Sequence, residues 1–287
     1  MGTNPNFFNF NGATAPDNAF DNQAAGVFGF RVPDMVVNLR VDQAWGFAGI
    51  SAVLHNASGA YYNTPNNVNN GHPEDKYGWA LAAGAKFNLQ GGDMIGFNVC
   101  YAEGDAGRCN NENAWQIYNN SNSVGLAWNS DGVFGTGTQI ELTKIWSALA
   151  AYEHIWNPKW RTSIGGGYVN VRYNDAATNL ILARTAGAAA ACGVPASGAA
   201  TLTAVTLLPG NSCSPNYSYW EAYTRTQWNP VAQLDIGMEV LYMHHDTAFK
   251  GPANLAANVS RPAVLAGVMD DQNVWSAMFR WQRNFYP

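Results

Sequence analysis

Few ionisable residues of the chain have a spacing that could support acid–base or metal chemistry. Asp235 and Glu239 are four residues apart, which in a strand separates them by about 13 Å. The paired carboxylates of glycosidases lie only about 5–9.5 Å apart. His244 and His245 are adjacent, so in a strand they point to opposite faces and cannot bind one ligand together. With His154 they show no metal-ligand spacing, and no nucleophile elbow or phosphate loop is present. We predict no catalytic residue, metal site or cofactor. Of the functions considered for this chain, that of an outer-membrane hydrolase is therefore the least favoured.

The four cysteines fall into two local pairs. Cys100 and Cys109 are nine residues apart, and Cys192 and Cys213 are 21 apart. Four cysteines allow three pairings. We favour these two because each would staple one loop region, which implies an oxidising compartment. The spacing is too wide for an ordinary zinc site, and free buried thiols are the remaining alternative.

The elements that carry these residues are strands. From Gln233 to Val240, polar or small residues alternate with apolar residues without a break. Successive side chains of a strand point to opposite faces, so this segment has one polar face and one apolar face. The same pattern recurs along the chain and predicts about ten strands, at 35–42, 44–54, 76–87, 95–101, 123–128 (weak), 138–156, 160–173, 217–228, 231–244 and 273–286.

Short and long connections alternate between these strands. The turns at 91–92, 157–158 and 229–230 are short, whereas 56–75, 103–122, 174–216 and 245–271 are long. An up-and-down meander with short turns at one end and long loops at the other is typical of antiparallel transmembrane β-barrels. Aromatic residues mark the two membrane–water boundaries of such barrels. We predict this aromatic girdle at Trp79, Trp156, Trp160, Trp228 and Trp281.

The composition agrees with a membrane barrel. Only 12% of the 287 residues are charged, against about 25% in soluble domains. No apolar run approaches the roughly 18 residues of a spanning helix, and the net charge of −5 argues against a nucleic-acid partner. The alternative is a soluble extracellular β-sandwich that acts as a binding module. It predicts charged outer faces, but the polar faces here consist mostly of Gly, Ala, Ser, Asn and Gln.

In a transmembrane barrel the apolar face meets lipid and the other face lines a water-filled lumen. An Arg or Lys facing lipid at the midplane costs about 2–4 kcal/mol, and nearly all charges here fall on the polar face. Lys144 is the exception, because its neighbours leave its face ambiguous. Charges of both signs along the wall would tune ion preference, and pairs are expected among Glu221, Arg225, Asp235 and Glu239. The predicted pore-lining residues are Asn38, Arg40, Asp42, Lys86, Asn98, Arg161, Glu221, Arg225, Gln227, Gln233, Asp235, Glu239, Arg280 and Gln282.

Four segments carry a family resemblance: Arg31–Gly46, Asn70–Ala80, Tyr152–Ser163 and Arg280–Pro287. Over these segments the chain resembles the outer-membrane porins of alphaproteobacteria. The resemblance runs from about residue 25 to the C-terminus. It implies a 16-stranded, homotrimeric general-diffusion channel in the bacterial outer membrane. Such a channel contacts membrane lipid and passes small hydrophilic solutes and ions.

The resemblance covers only the C-terminal part of that family, roughly ten strands. The family's signal peptide, first strands and inward-folded constriction loop would lie before or within residues 1–25. The first residues lack the basic and apolar regions of a signal peptide. The simplest interpretation is a truncated porin, with an irregular N-terminal segment at 1–30 and a single barrel domain at 31–287.

Overall fold

The computed structural model consists mostly of strands. It describes residues 7–9, 31–59, 61–62, 69, 71–110, 114–118, 123–128, 130–196, 205–256 and 263–283. In chain order the strands are β1 (Phe7–Asn9), β2 (Met35–Gln43), β3 (Gly46–Ala57), β4 (Lys76–Asn88), β5 (Met94–Glu103), β6 (Ala114–Tyr118), β7 (Ser123–Trp128), β8 (Gly132–Phe134), β9 (Glu141–Leu142), β10 (Lys144–Asn157), β11 (Trp160–Arg172), β12 (Val205–Leu207), β13 (Tyr217–Trp228), β14 (Leu234–Asp246), β15 (Gly251–Leu255), β16 (Val264–Met269) and β17 (Gln272–Arg283). Two α-helices, α1 (Asp175–Ala183) and α2 (Ala188–Cys192), lie between β11 and β12. Among the described residues, no helix has both the length and the apolar character needed to cross a membrane.

The nine long strands of the described residues form one sheet, which we call the wall sheet. Its strand order is β17-β14-β13-β11-β10-β5-β4-β3-β2, and every neighbouring pair is antiparallel. Nine of the ten predicted strands are therefore confirmed as one antiparallel meander. The tenth prediction is wrong in its placement, because 123–128 forms β7 of a separate five-stranded sheet, β12-β15-β16-β7-β6.

The connections of the wall sheet alternate as the sequence predicts. The segments 44–45, 89–93, 158–159 and 229–233 join strands at one end, the turn end. The segments 58–75, 104–143, 173–216 and 247–271 join them at the other, the loop end. The first turn depends on Gly46, which has a φ of +136° and whose added Cβ would lie 1.9 Å from the Lys86 carbonyl oxygen. Only glycine lets β3 begin so close to β4.

Several segments predicted to be irregular contain regular elements. The region 174–216 includes α1, α2 and β12. Helix α1 begins where the Asn174 side chain accepts a hydrogen bond from the Ala177 amide at 2.8 Å, which is a favourable N-cap. The strand predicted at 138–156 is interrupted at Thr143, whose amide donates to the Asp131 carbonyl at 3.0 Å. In the predicted irregular segment at 1–30, Phe7–Asn9 pairs with β8, and the rest lies outside the described residues.

The long loops build a buried core against the loop-end half of the wall sheet. Leu126, Ile181 and Phe249 of the loops are fully buried together with Ile145 and Val171 of the wall sheet. Segments after β5, β11 and β14 thus fold over the sheet. We call this packed region the loop core. The constriction loop expected before or within residues 1–25 stays a prediction.

Candidate pore wall

The strand register separates the wall sheet into two faces. Directly paired residues of neighbouring strands lie on the same face, so each face can be traced across the sheet. Arg161 pairs with Gln227, Gln227 with Gly237, and Gly237 with Arg280. Thirteen of the fourteen predicted pore-lining residues share this polar face: Asn38, Arg40, Asp42, Lys86, Asn98, Arg161, Glu221, Arg225, Gln227, Asp235, Glu239, Arg280 and Gln282. The fourteenth, Gln233, lies in the turn just before β14.

The opposite, apolar face carries two rows of aromatic residues. The loop-end row contains Trp79, Tyr101, Trp146, Tyr168, Trp220, Tyr242 and Trp275, with ring centroids 4.8–5.2 Å apart in the pairs Trp79–Tyr101, Trp146–Tyr168, Trp220–Tyr242 and Tyr242–Trp275. The turn-end row contains Trp156, Trp160, Trp228 and Trp281, and Trp160 stacks on Trp228 at 5.6 Å. All five predicted girdle residues lie on this face, Trp79 in the first row and the others in the second. Many of these side chains are exposed, the opposite of what a soluble sandwich with inward apolar faces requires.

The geometry of the two rows matches a membrane. Between Trp79 on β4 and Trp275 on β17 the loop-end row falls by six register positions across six strand-to-strand steps. With about 3.4 Å per residue and about 4.8 Å per strand, this slope is about 35°, within the strand tilt of transmembrane barrels. Trp220 and Trp228 are eight residues apart on β13, or about 22 Å along the membrane normal after correction for tilt. The apolar band of such barrels is about 25 Å tall.

A hydrogen-bonded cluster of charges lies on the polar face near the turn end. The Arg161 Nε donates to the Gln227 Oε1 at 3.0 Å, and the Gln227 Nε2 donates to the Asp235 Oδ1 at 3.2 Å. Arg161 also lies 3.7 Å from the Asp235 carboxylate. Next to this cluster, the Ser163 hydroxyl donates to the Glu153 carboxylate at 2.9 Å. Four neighbouring strands, β10, β11, β13 and β14, thus present an ordered band of both charge signs.

The other charges on this face are paired differently from the expectation. Arg225 and Glu239 are direct partners in the register, yet no ion pair of 4.0 Å or less joins them in the described structure. Arg40 instead contacts Asp42 on its own strand at 2.7–3.0 Å and lies over the Phe47 ring at 4.1 Å. The four residues expected to pair therefore do not pair with one another: Asp235 lies near Arg161, and the other three form no ion pair with any described residue.

Two glycines of β11 make room on the polar face for side chains of β13. An added Cβ on Gly165 would lie 2.7 Å from the Tyr223 hydroxyl, and one on Gly167 would lie 3.6 Å from the Glu221 Oε1. The β13 side chains thus lie across β11 instead of standing away from the wall. A larger residue at Gly165 would push the Tyr223 ring into the space that the polar face borders.

The loop core covers the polar face at the loop end. The disulfide Cys100–Cys109, with Cα atoms 5.4 Å apart, ties the segment after β5 to this face. The Tyr219 hydroxyl donates to the Asn110 Oδ1 at 3.1 Å, and the Gln272 Nε2 donates to the Ser123 hydroxyl at 2.7 Å. Sequence reasoning missed this covering, although a signal was present. Cys100 lies two residues after Asn98 and therefore on the same polar face, so its pairing with Cys109 requires the loop to fold inward.

Both predicted cysteine pairings are present. Cys192 and Cys213 form the second disulfide, with Cα atoms 5.8 Å apart. It joins the end of α2 to the segment before β13. Within the described part of the chain, no cysteine is free.

Ion pairs that the sequence did not reveal fasten the loop core to β2 and β3. Asp34, just before β2, contacts the His55 Nδ1 at 2.7 Å and also contacts Arg108. Arg108 in turn lies 3.1 Å from Asp105. Burial raises the pKa of Asp105, an effect that electrostatic interactions with His55 and Arg108 oppose. This network holds the start of the 104–143 loop over the sheet.

At the turn end, Asp93 organises the histidine considered for catalysis. Its carboxylate accepts hydrogen bonds from the Tyr152 hydroxyl at 2.5 Å, His154 Nδ1 at 2.8 Å and the Ile155 amide at 2.8 Å. These hydrogen bonds lower the pKa of Asp93 to about 2, and the bond from Tyr152 has the largest effect. His154 therefore helps Asp93 to fix the turn between β4 and β5 to β10, on the apolar face. The other two histidines point to opposite faces, as predicted from their adjacency.

Among the described residues, one group of side chains has metal-ligand spacing. The ligand atoms of His244, Asp246 and Asp271 lie within 4.8 Å of one another. The Lys250 ammonium already forms ion pairs with Asp270 at 3.4 Å and with Asp271, and Asp271 raises the pKa of Lys250. A metal ion would compete with this ammonium, so the group is better described as an ion-pair network.

Comparison with known proteins identifies the family. The family model described as "Porin subfamily" matches residues 12–278. The chain belongs to this porin family. It is an outer-membrane protein of bacteria, and its fold is an antiparallel transmembrane β-barrel wall. The alphaproteobacterial branch stays a prediction.

A solved structure supports the fold of this porin. The outer membrane channel DcaP of Acinetobacter baumannii is similar, with a TM-score of 0.50 and 13% sequence identity. The match covers 89% of this chain and 56% of the DcaP chain, so this chain spans about half the length of that channel. At this identity the likeness concerns the fold alone. No curated protein sequence matches this chain.

Proposed function

We propose that this porin forms the wall of a passive diffusion channel for small hydrophilic solutes and ions. The separation of the two faces carries the proposal. The strand residues predicted to line the pore lie on one face, and both aromatic rows lie on the other. Because an Arg or Lys facing lipid at the midplane costs about 2–4 kcal/mol, the charged face is the one expected to border water.

Permeation through such a wall needs no covalent chemistry. Charges of both signs on neighbouring strands create a field across the lumen that orients polar solutes and tunes ion preference. The Arg161–Gln227–Asp235 cluster is held by hydrogen bonds, so its charges keep fixed positions as solutes pass. The loop core narrows the path at the loop end, and the charged band lies toward the turn end.

The assembly is also proposed, because it rests on the family resemblance. We expect a homotrimer in outer-membrane lipid with a lumen in each subunit. Native mass spectrometry of the detergent-extracted protein measures this directly. A strictly monomeric spectrum under conditions that preserve conductance would contradict the trimer but would leave the proposal of a channel unaffected.

Single-channel recording in planar bilayers tests the function. The purified full chain is expected to give stepwise, ohmic conductance, and Arg225→Glu is expected to move the reversal potential toward cation preference in a KCl gradient. The matched control is Lys159→Glu, the same charge change in a turn-end connection outside the strands. Absence of conductance from folded protein would refute the channel, and equal shifts in both variants would refute the assignment of Arg225 to the lumen.

A further inference from the structure

Two basic side chains lie on the apolar face at the loop end. Lys144 is the first residue of β10 and Arg172 is the last residue of β11, and the two are direct partners in the register. The register continues from Trp79 through Glu103 to Lys144, which places both basic residues on the face of the aromatic rows. The ambiguity that the sequence left at Lys144 is thereby resolved.

Both residues lie just outside the apolar band. Lys144 is two residues beyond Trp146, and Arg172 is four residues beyond Tyr168. After correction for the strand tilt, these positions are about 6 Å and about 11 Å beyond the loop-end aromatic row. The polar headgroup layer adds roughly 5–7 Å to each side of the hydrocarbon core. Lys144 lies within this layer, and the Arg172 side chain extends from beyond it back to Asn170, toward the headgroups.

The described residues do not balance the local positive charge. Like charges directly opposite one another in a sheet are destabilising. The Lys144 Nζ lies 3.8 Å from Glu103, and the Lys144 side chain is 52% exposed. The Arg172 Nε donates to the Asn170 Oδ1 at 2.9 Å, and in the described structure no carboxylate lies within 4.0 Å of its guanidinium. One positive charge therefore remains, with the outer guanidinium nitrogens available.

We propose that Lys144 and Arg172 bind the phosphate of an anionic lipid headgroup in the leaflet at the loop end. The inference rests on the proposed function, because it requires the apolar face to meet lipid. A guanidinium can bind phosphate with two parallel hydrogen bonds, and an ammonium adds a point charge. The Asn170 amide donates to the Tyr168 hydroxyl at 3.1 Å, so the residue that holds Arg172 is itself fixed to the aromatic row. A phosphate between the two cations would also remove their repulsion.

Lipid titrations of the detergent-purified full chain test this site. The probes are lipid A, dephosphorylated lipid A and inorganic phosphate, with binding measured by native mass spectrometry. We expect lipid A to bind more tightly than its dephosphorylated form, and free phosphate to bind weakly. The double variant Lys144→Gln/Arg172→Gln should weaken lipid A binding about tenfold or more, since hydrogen bonds to charged groups are lost. The control Lys159→Gln removes one cation at the turn end and should leave lipid A binding unchanged.

Three results would overturn the lipid site. They are equal binding of the two lipid A forms, unchanged binding in the double variant, and free phosphate binding as tightly as lipid A. Loss of folding can be distinguished from loss of lipid binding, because gel mobility before heating reports the folded barrel independently. Wild-type bilayer conductance separates this inference from the channel. Conductance without lipid preference rejects only the lipid site, whereas lipid preference without conductance rejects only the channel.

Discussion

Replacing Phe279 with arginine would test which face of the wall sheet meets lipid. Phe279 lies on the apolar face of β17, one residue from the midpoint between Trp275 and Trp281, and is 71% exposed. An arginine near the midplane costs about 2–4 kcal/mol, which is a loss of about 30-fold to about 700-fold in the folding equilibrium constant. The lost apolar contact of the phenyl ring with lipid adds to this cost.

Met278 provides the matched control. It is also apolar and 56% exposed, but it lies on the polar face, directly opposite Glu239. Met278→Arg should therefore change stability little, because the new charge borders water and faces a carboxylate. The measurement is urea-dependent folding into phosphatidylcholine vesicles, followed by gel mobility without heating. Equal folding free energies for the two variants, or a greater loss for Met278→Arg, would refute the face assignment.

The remaining predictions concern the loop core, the turn end and the lumen. Reduction of Cys192–Cys213 should destabilise the loop core by about 3 kcal/mol in the chain-entropy model, and mass spectrometry of the unreduced protein showing free thiols would exclude the bond. The depressed pKa of Asp93, about 2 against an ordinary 3.8, gives stability that is complete above about pH 4 and is lost as the pH falls toward 2. Asp93→Asn should abolish this dependence in acid titrations of folding, and an unchanged acid profile would contradict the anchor. Asp235→Asn should leave Arg161 without its carboxylate partner and shift the reversal potential toward anions, and no shift would remove that pair from the permeation path.

The wall sheet was predictable because its information is local. Alternation along Gln233–Val240 identifies both faces of β14 without knowledge of any other strand, and the alternation of short and long connections defines the meander. The paired cysteines are also close in sequence. Alternation does not give the depth of a residue in the membrane: Leu234 lies on the apolar face but pairs with Arg283, beyond the turn-end tryptophans.

The loop core was not predictable in the same way, because distant residues build it. Tyr219 and Asn110 are 109 positions apart, and Gln272 and Ser123 are 149 apart. Period-two alternation identifies a strand but not its partner. The pattern at 123–128 therefore predicts a strand correctly but does not show that this strand belongs to a separate sheet.

Strand direction constrains how the wall sheet can close. β2 and β17 are its two edges among the described residues, and both run from the loop end to the turn end. If they paired with each other, the seam would be parallel, whereas bacterial single-chain barrels have an even number of antiparallel strands. An open edge in hydrocarbon leaves backbone N–H and C=O groups without partners, each at a cost of several kcal/mol. A closed antiparallel barrel that contains these nine strands must therefore include an odd number of others between β17 and β2, and the strand next to β17 must run from the turn end to the loop end.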